Sequence, residues 1–186
     1  MTDYPIQTID TAPAATRPAL TGLHAAFGLI PNVAGVMANS PALLNSFFSA
    51  FGHFRGETGT FTPAERQVLL LSNAINNDCP WAVAFHSVEA IQDGVAPEVV
   101  AALRGRAVPA EPRMAALAGV SKALIDKRGH LDETDAKAFT SAGFDDNQLL
   151  EAIASVAIST MTNYAGNLAD PPLEAAFQSQ VWDAQD

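Results

Sequence analysis

The residues best suited to chemistry lie in one short stretch, Cys79-Pro80-Trp81-Ala82-Val83-Ala84-Phe85-His86. Cys79 is the sole cysteine of the chain, and it stands where a proline opens a helix. Unpaired backbone N–H groups and the helix dipole favour the thiolate there, the nucleophilic form of the side chain. Asp78, its neighbour, works the other way. His86 comes seven residues later, which puts thiol and imidazole within about 20° of one helix face. Ala82, Val83 and Ala90 are small neighbours on that side, so this face is expected to line a cleft or a subunit junction. Trp81, Ala84, Phe85, Val88 and Ile91 form the apolar stripe expected to face the core. Seven residues of helix rise about 10 Å, so His86 can act on Cys79 only through water or another group. Zinc requires three or four ligands, and no further Cys or His has ligand spacing. No metal and no cofactor are expected. His24, His53 and His130 stand in no constellation and read as surface.

The elements that must position this pair are helical throughout. Ala, Leu and Ile recur at three-to-four spacing between Pro, Gly and Asn-Asp punctuation, with no sustained alternation of period two. The pattern predicts helices from about Thr16 to Phe27, near Val33–Ala38, and from Ser40-Pro41 through Leu43, Leu44, Phe47, Phe48 and Phe51 to a stop at Gly56–Gly59. Thr62-Pro63-Ala64-Glu65 is the clearest start signal: an N-cap Thr, a proline at the first helical position, and a Glu that can close a capping box. The helix after it is apolar almost all round, with Val68, Leu69, Leu70, Leu71, Ala74 and Ile75, and is expected to be buried. Further helices are predicted from Cys79-Pro80 to about Gln92, from Ala96-Pro97 to Leu103, and over Arg113–Lys127, Glu133–Ser141 and Asp146–Leu168. The last should bury Leu149, Leu150, Ile153, Val156, Ile158, Met161 and Tyr164. A short helix around Leu173–Phe177 precedes a polar tail. The fold class is all-α, in one domain over 1–186, with a possible joint between two helical halves near 104–112. Phe47, Phe48, Phe51 and Phe54 span more than one helix face and serve the core and a subunit interface. Trp81 reads as core.

Composition bounds the partners. The chain has 186 residues, 48% of them hydrophobic, and a formal net charge of −10, which argues for a folded, soluble protein. The ten Lys and Arg residues are scattered, and Arg104-Gly-Arg106 is too small a cluster to bind phosphates, so no nucleic acid is expected. No apolar run approaches the roughly 18–20 residues of a membrane span. The start, Met1-Thr-Asp-Tyr-Pro, lacks the pattern of a signal peptide. One cysteine suits a reducing compartment, and cytoplasmic localisation is expected.

The stretch from Phe61-Thr-Pro-Ala-Glu-Arg-Gln67 through His86 resembles the core signature of the alkylhydroperoxidase-D-like / carboxymuconolactone decarboxylase family, in its peroxidase-related branch. That signature is a Glu on one helix and, twelve residues on, Cys-x-x-Cys-x-x-x-His on the next. Gly28-Leu-Ile-Pro-Asn-Val, Asn39-Ser-Pro-Ala-Leu-Leu, Ala142-Gly-Phe-Asp-Asp and Thr162-Asn-Tyr164 are similar to other parts of the family, in the same order. The resemblance implies a multi-helix bundle whose two cysteines cycle between dithiol and disulfide while His and Glu relay protons. Carried over by position, Cys79 matches the first cysteine and His86 the histidine. Ala82 stands at the second cysteine and Gln67 at the Glu. Glu65 cannot substitute, because it points about 200° away from Gln67 and the capping box occupies it. Asn167 stands near where relatives carry a further His.

The resemblance and the residues present together imply an alkylhydroperoxidase-like thiol antioxidant protein with at most one-cysteine chemistry. Cys79 would attack a peroxide and become sulfenic acid, an external thiol reductant would restore it, and His86 would assist proton delivery through water. Gln67 and Asn163 are the polar residues expected in the cleft; Gln67 can orient a group but cannot titrate. The alternatives are a cysteine-independent decarboxylase acting through His86, with Gln67 and Asn163 holding an anionic substrate, and a catalytically inactive oligomeric binding protein of the same fold. The resemblance also implies a homo-oligomer: a dimer, a trimer, or a hexamer of trimers.

Overall fold

The computed structural model describes residues 4–183; residues 1–3 of the predicted leaderless start and 184–186 of the polar tail lie outside the described residues. It is all-α, with no strand among the described residues. The helices are α1 (Arg17–Phe27), α2 (Asn32–Met37), α3 (Pro41–Arg55), α4 (Pro63–Asn76), α5 (Pro80–Gln92), α6 (Pro97–Arg104), α7 (Pro112–Asp126), α8 (Glu133–Ser141) and α9 (Asp146–Ala169). A short 3₁₀ helix, Ala175–Gln180, stands where a short helix around Leu173–Phe177 was expected. No helix is long and apolar enough to cross a membrane.

Local chemistry accounts for the boundaries. Proline occupies the first turn of α1 and of α3 to α7, where its missing N–H is no loss. Thr62 and Glu65 close the expected capping box, and Asp132–Asp135 and Asp145–Gln148 close two more at α8 and α9. Arg113 donates to Glu65 at 2.6 Å, so the cap of α4 is tied to α7 as well.

Helix α4 lies at the centre, packed against α5, α7 and α9. Its Leu69, Leu71 and Ala74 are fully buried. Amid them sits Asn73, equally buried, whose Nδ2 donates to Ser155 Oγ at 3.2 Å and Ser159 Oγ at 3.1 Å on α9. Its Oδ1 accepts from the Ser121 hydroxyl on α7. One amide thus holds three helices by bonds that only one register can make.

Two apolar readings are corrected. In α9 only Ile158 of the seven residues expected in the core is fully buried. Leu150, Ile153 and Tyr164 are 48–68% exposed, and Leu149, Val156 and Met161 are half-buried. The helix is apolar on more than its core-facing side, so composition could not say which side faces in; its small and polar residues, Ala152, Ser155, Ser159, Asn163, Ala165 and Gly166, do. In α5, Ile91 is 44% exposed while the rest of its stripe is buried or half-buried.

Candidate functional site

Cys79 is the N-cap residue of α5, held by its backbone N–H to Ala74 O at 3.0 Å. Its side chain faces the core. The sulfur packs on the α9 backbone at Gly166, where a Cβ would sit 3.1 Å from Sγ, and the residue is 1% exposed. The face of α5 expected to line a cleft is therefore closed: Cys79, Ala82, Val83 and Ala90 are all buried. Small residues there serve close helix packing, which a sequence cannot distinguish from room for a ligand. Burial pushes the Cys79 thiol up to about 11, Asp170 adds to the push, and the first-turn amides of Ala82 and Trp81 pull the other way. Burial prevails over the helix N-terminus.

His86 lies two turns further on and is half-buried. Its Nδ1 meets Gln67 Oε1 at 3.1 Å, and Gln67 Nε2 donates to Asp93 Oδ2 at 2.9 Å. A carboxylate only accepts, so the Gln67 amide presents its oxygen to the imidazole and Nδ1 carries the hydrogen. Nε2 is then the lone-pair nitrogen, with no partner among the described residues. Burial drives the imidazolium down to about 3, which leaves the ring neutral at physiological pH. Gln67 is 6% exposed and bonds both His86 and Asp93; Asp93 was not anticipated, since nothing in a 26-residue separation signals a contact.

These groups border a cavity of about 30 Å³ walled by Phe27, Phe51, Phe85, Arg55 and Arg66. It has room for a water or a group of similar size. Phe27 meets Phe85 edge-on at 5.2 Å, and the Arg55 guanidinium lies 5.3 Å over the Phe27 ring. Two cations thus stand at a site that the scattered Lys and Arg of the sequence did not reveal. Cys79 does not line this cavity.

Asn163 is 1% exposed. Its Oδ1 accepts from Thr162 Oγ1, and its Nδ2 has no partner among the described residues. The structure therefore places Gln67 with His86, and Cys79 and Asn163 elsewhere in the core. No group of three His, Cys, Asp or Glu among the described residues could hold a metal ion. His24, His53 and His130 are exposed. Trp81 is buried, with Nε1 donating to Glu174 at 2.9 Å.

Neutral His86 makes an acid-sensitive contact. Its folded-state value lies below the ordinary 6.5, so the unfolded chain takes up the proton first. The stabilisation is complete above about pH 6.5 and is lost as pH falls toward 3, at up to about 1.4 kcal/mol per pH unit. Urea unfolding at pH 6.5, 5.5 and 4.5 should show a steeper loss for the wild type than for His86→Gln. Parallel slopes would mean that His86 titrates normally.

Comparison with known proteins adds a family match over part of the chain and the fold. Residues 41–123 match the carboxymuconolactone decarboxylase family. That segment runs from the start of α3 into α7 and carries both Cys79 and His86, so the resemblance read from the sequence is borne out. Among solved structures, the alkylhydroperoxidase AhpD core of a peroxidase-related protein from Ralstonia eutropha JMP134 is similar at a TM-score of 0.81, with 21% identity and 97% of each chain covered. A peroxidase-related protein from Silicibacter sp. TM1040 gives 0.77 at 19% identity, covering 96% of this chain and 94% of that one. A cysteine-to-alanine variant of the debrominase Bmp8, solved with 2,3,4-tribromopyrrole, gives 0.79 at 18% identity, covering 97% and 95%. At these identities the likeness shows the alkylhydroperoxidase-D-like helical fold. Among curated proteins the sequence has no match.

Proposed function

We propose that this chain is an alkylhydroperoxidase-like thiol protein that works, slowly, through Cys79 alone. The observation that carries the reading is the placement of the sole thiol as the N-cap residue of α5, where the amides of Trp81 and Ala82 offset part of the burial that disfavours its thiolate and keeps turnover slow. The peroxidase-related structures of the same fold support it. In the reaction, the Cys79 thiolate attacks the distal oxygen of a hydroperoxide. The O–O bond breaks, sulfur becomes sulfenic acid, and the alkoxide leaves as the alcohol after taking a proton. An external thiol then condenses with the sulfenic acid, releasing water, and a second thiol reduces the mixed disulfide. An internal disulfide cannot form, because Cys79 is the sole cysteine and Ala82 stands one helical turn before His86 in place of a second. His86 is outside direct reach of the sulfur, and a neutral imidazole held this far below pH 7 is a weak base. Its contribution in this reading is a fixed acceptor, Nε2, for one water.

The cysteine-independent decarboxylase reading is weaker. Arg55 and Arg66 could meet an anion, but the 30 Å³ beside His86 does not hold a lactone ring. The protein is also taken to be a cytoplasmic homo-oligomer, and light scattering in solution tests the assembly.

Hydroperoxide consumption with a dithiol reductant should be measurable but slow in the wild type and fall to background in Cys79→Ser. Ala82→Cys, which supplies the second thiol one turn from His86, should raise the rate above wild type. Equal rates in wild type and Cys79→Ser would remove the thiol from the chemistry.

A further inference from the structure

A second site lies on another face of α9, about 200° around the helix from Gly166 at Tyr164. It is a cleft of about 290 Å³ between the α4–α5 turn, the end of α7 and α9, close to the lower end of the roughly 300–1,000 Å³ that small-molecule sites occupy. Leu124 and Ile125 of α7 and Ile153 and Tyr164 of α9 form its apolar walls. Ile153 and Tyr164 are 48% and 60% exposed, so the walls present apolar surface to solvent.

The polar groups at this cleft are suited to an anion. No Asp or Glu lines it. Arg128 does, and its guanidinium has no hydrogen-bond or ion-pair partner among the described residues. In a chain of net charge −10 most cations find a carboxylate, a carbonyl or a ring. Arg128 sits at φ 53°, in the left-handed turn that closes α7 with Gly129 N–H on Leu124 O at 3.0 Å, so the helix end fixes where its side chain starts. Asn77 completes the wall, and its buried Nδ2 has no partner among the described residues.

We propose that this cleft binds a small apolar monocarboxylate, with the carboxylate on the Arg128 guanidinium and the apolar body between Leu124, Ile125, Ile153 and the ring of Tyr164. The fork of the guanidinium matches a carboxylate with two parallel N–H···O bonds. Turning the Asn77 amide toward the ligand would give its orphan donor an acceptor. The site is independent of the thiol.

Benzoate is the probe, and benzamide its neutral isostere, titrated into the full chain and followed by methyl NMR of Ile, Leu and Val. Benzoate should shift the Ile125 and Ile153 methyls along saturable curves, and benzamide should bind about tenfold more weakly or worse. Arg128→Gln should weaken benzoate about tenfold without changing the melting temperature, since the side chain is exposed and unpaired. Lys137→Gln, at another exposed cation outside the cleft, and Cys79→Ser should leave binding unchanged. Three results would each overturn the proposal: no saturable shift up to about 10 mM benzoate, equal affinity for benzoate and benzamide, or binding that survives Arg128→Gln.

Discussion

Asn73→Ala is expected to cost about 3–5 kcal/mol of folding stability, lowering the melting temperature by on the order of 10 °C. The substitution removes the amide that joins α4 to Ser121 on α7 and to Ser155 and Ser159 on α9. All four residues are at most 2% exposed, so water cannot replace the lost bonds. Ser121 and Ser159 lose the only side-chain partner each has among the described residues, and each orphaned hydroxyl carries a desolvation cost of about 1–3 kcal/mol. The missing side-chain volume adds a cavity where three helices meet. Asn76→Ala, three residues on, should cost under about 1 kcal/mol, since that side chain only bonds Ser72 O within its own helix from a half-buried position. Urea denaturation of the two variants decides the matter. A loss below about 1 kcal/mol for Asn73→Ala would mean that apolar packing alone holds α4, α7 and α9 in register.

The second large effect concerns thiol reactivity. With its ionisation pushed from 9.0 to about 11, Cys79 exposes about a hundredfold less thiolate near neutral pH than an unperturbed thiol. Packing against Gly166 adds a steric barrier. Iodoacetamide should therefore modify the native protein at least about a hundredfold more slowly than the urea-unfolded chain, with the rate rising in parallel with the unfolded fraction. The same shift sets the sign of the pH effect. The folded state holds the proton more tightly between about pH 9 and 11, so deprotonation favours unfolding there and stability falls as pH rises through that window. Native Cys79 that reacts as fast as the unfolded chain would show an open, ionised thiol and would make fast peroxide turnover chemically reasonable. Slow native alkylation together with measurable peroxide consumption would mean that the reaction proceeds from a transiently opened α5–α9 junction.

The helical architecture was readable because its signals are local. Proline at first turns, the Thr62–Glu65 capping box and the turn at Asn77-Asp78 act within a few residues, and the observed boundaries match them within about two positions. The site was readable only in part. Gln67 meets His86 because α4 and α5 are adjacent in sequence and pack side by side, which the family resemblance already implied by order. Asp93, Arg55 and Arg66 reach the same cavity from positions whose spacing carries no signal. Asn73 did carry one: an amide in an otherwise apolar, buried helix needs internal partners. Only the packing names them as Ser121, Ser155 and Ser159.

From the sequence by itself come the all-α class, the helix limits, the single thiol at a helix start, and the absence of its second cysteine and Glu partners. These depend on backbone propensity, residue identity and short-range order, all properties of the chain as written. Tertiary structure alone decided that the small-residue face of α5 is packed against α9 rather than open, so that desolvation outweighs the helix N-terminus at Cys79. It also decided that the imidazole is fixed as one neutral tautomer by Gln67 and Asp93, and that α9 turns its small and polar residues inward while Leu150, Ile153 and Tyr164 face out. Ionisation and accessibility depend on what surrounds a group in space, and that is settled by which helices pack together.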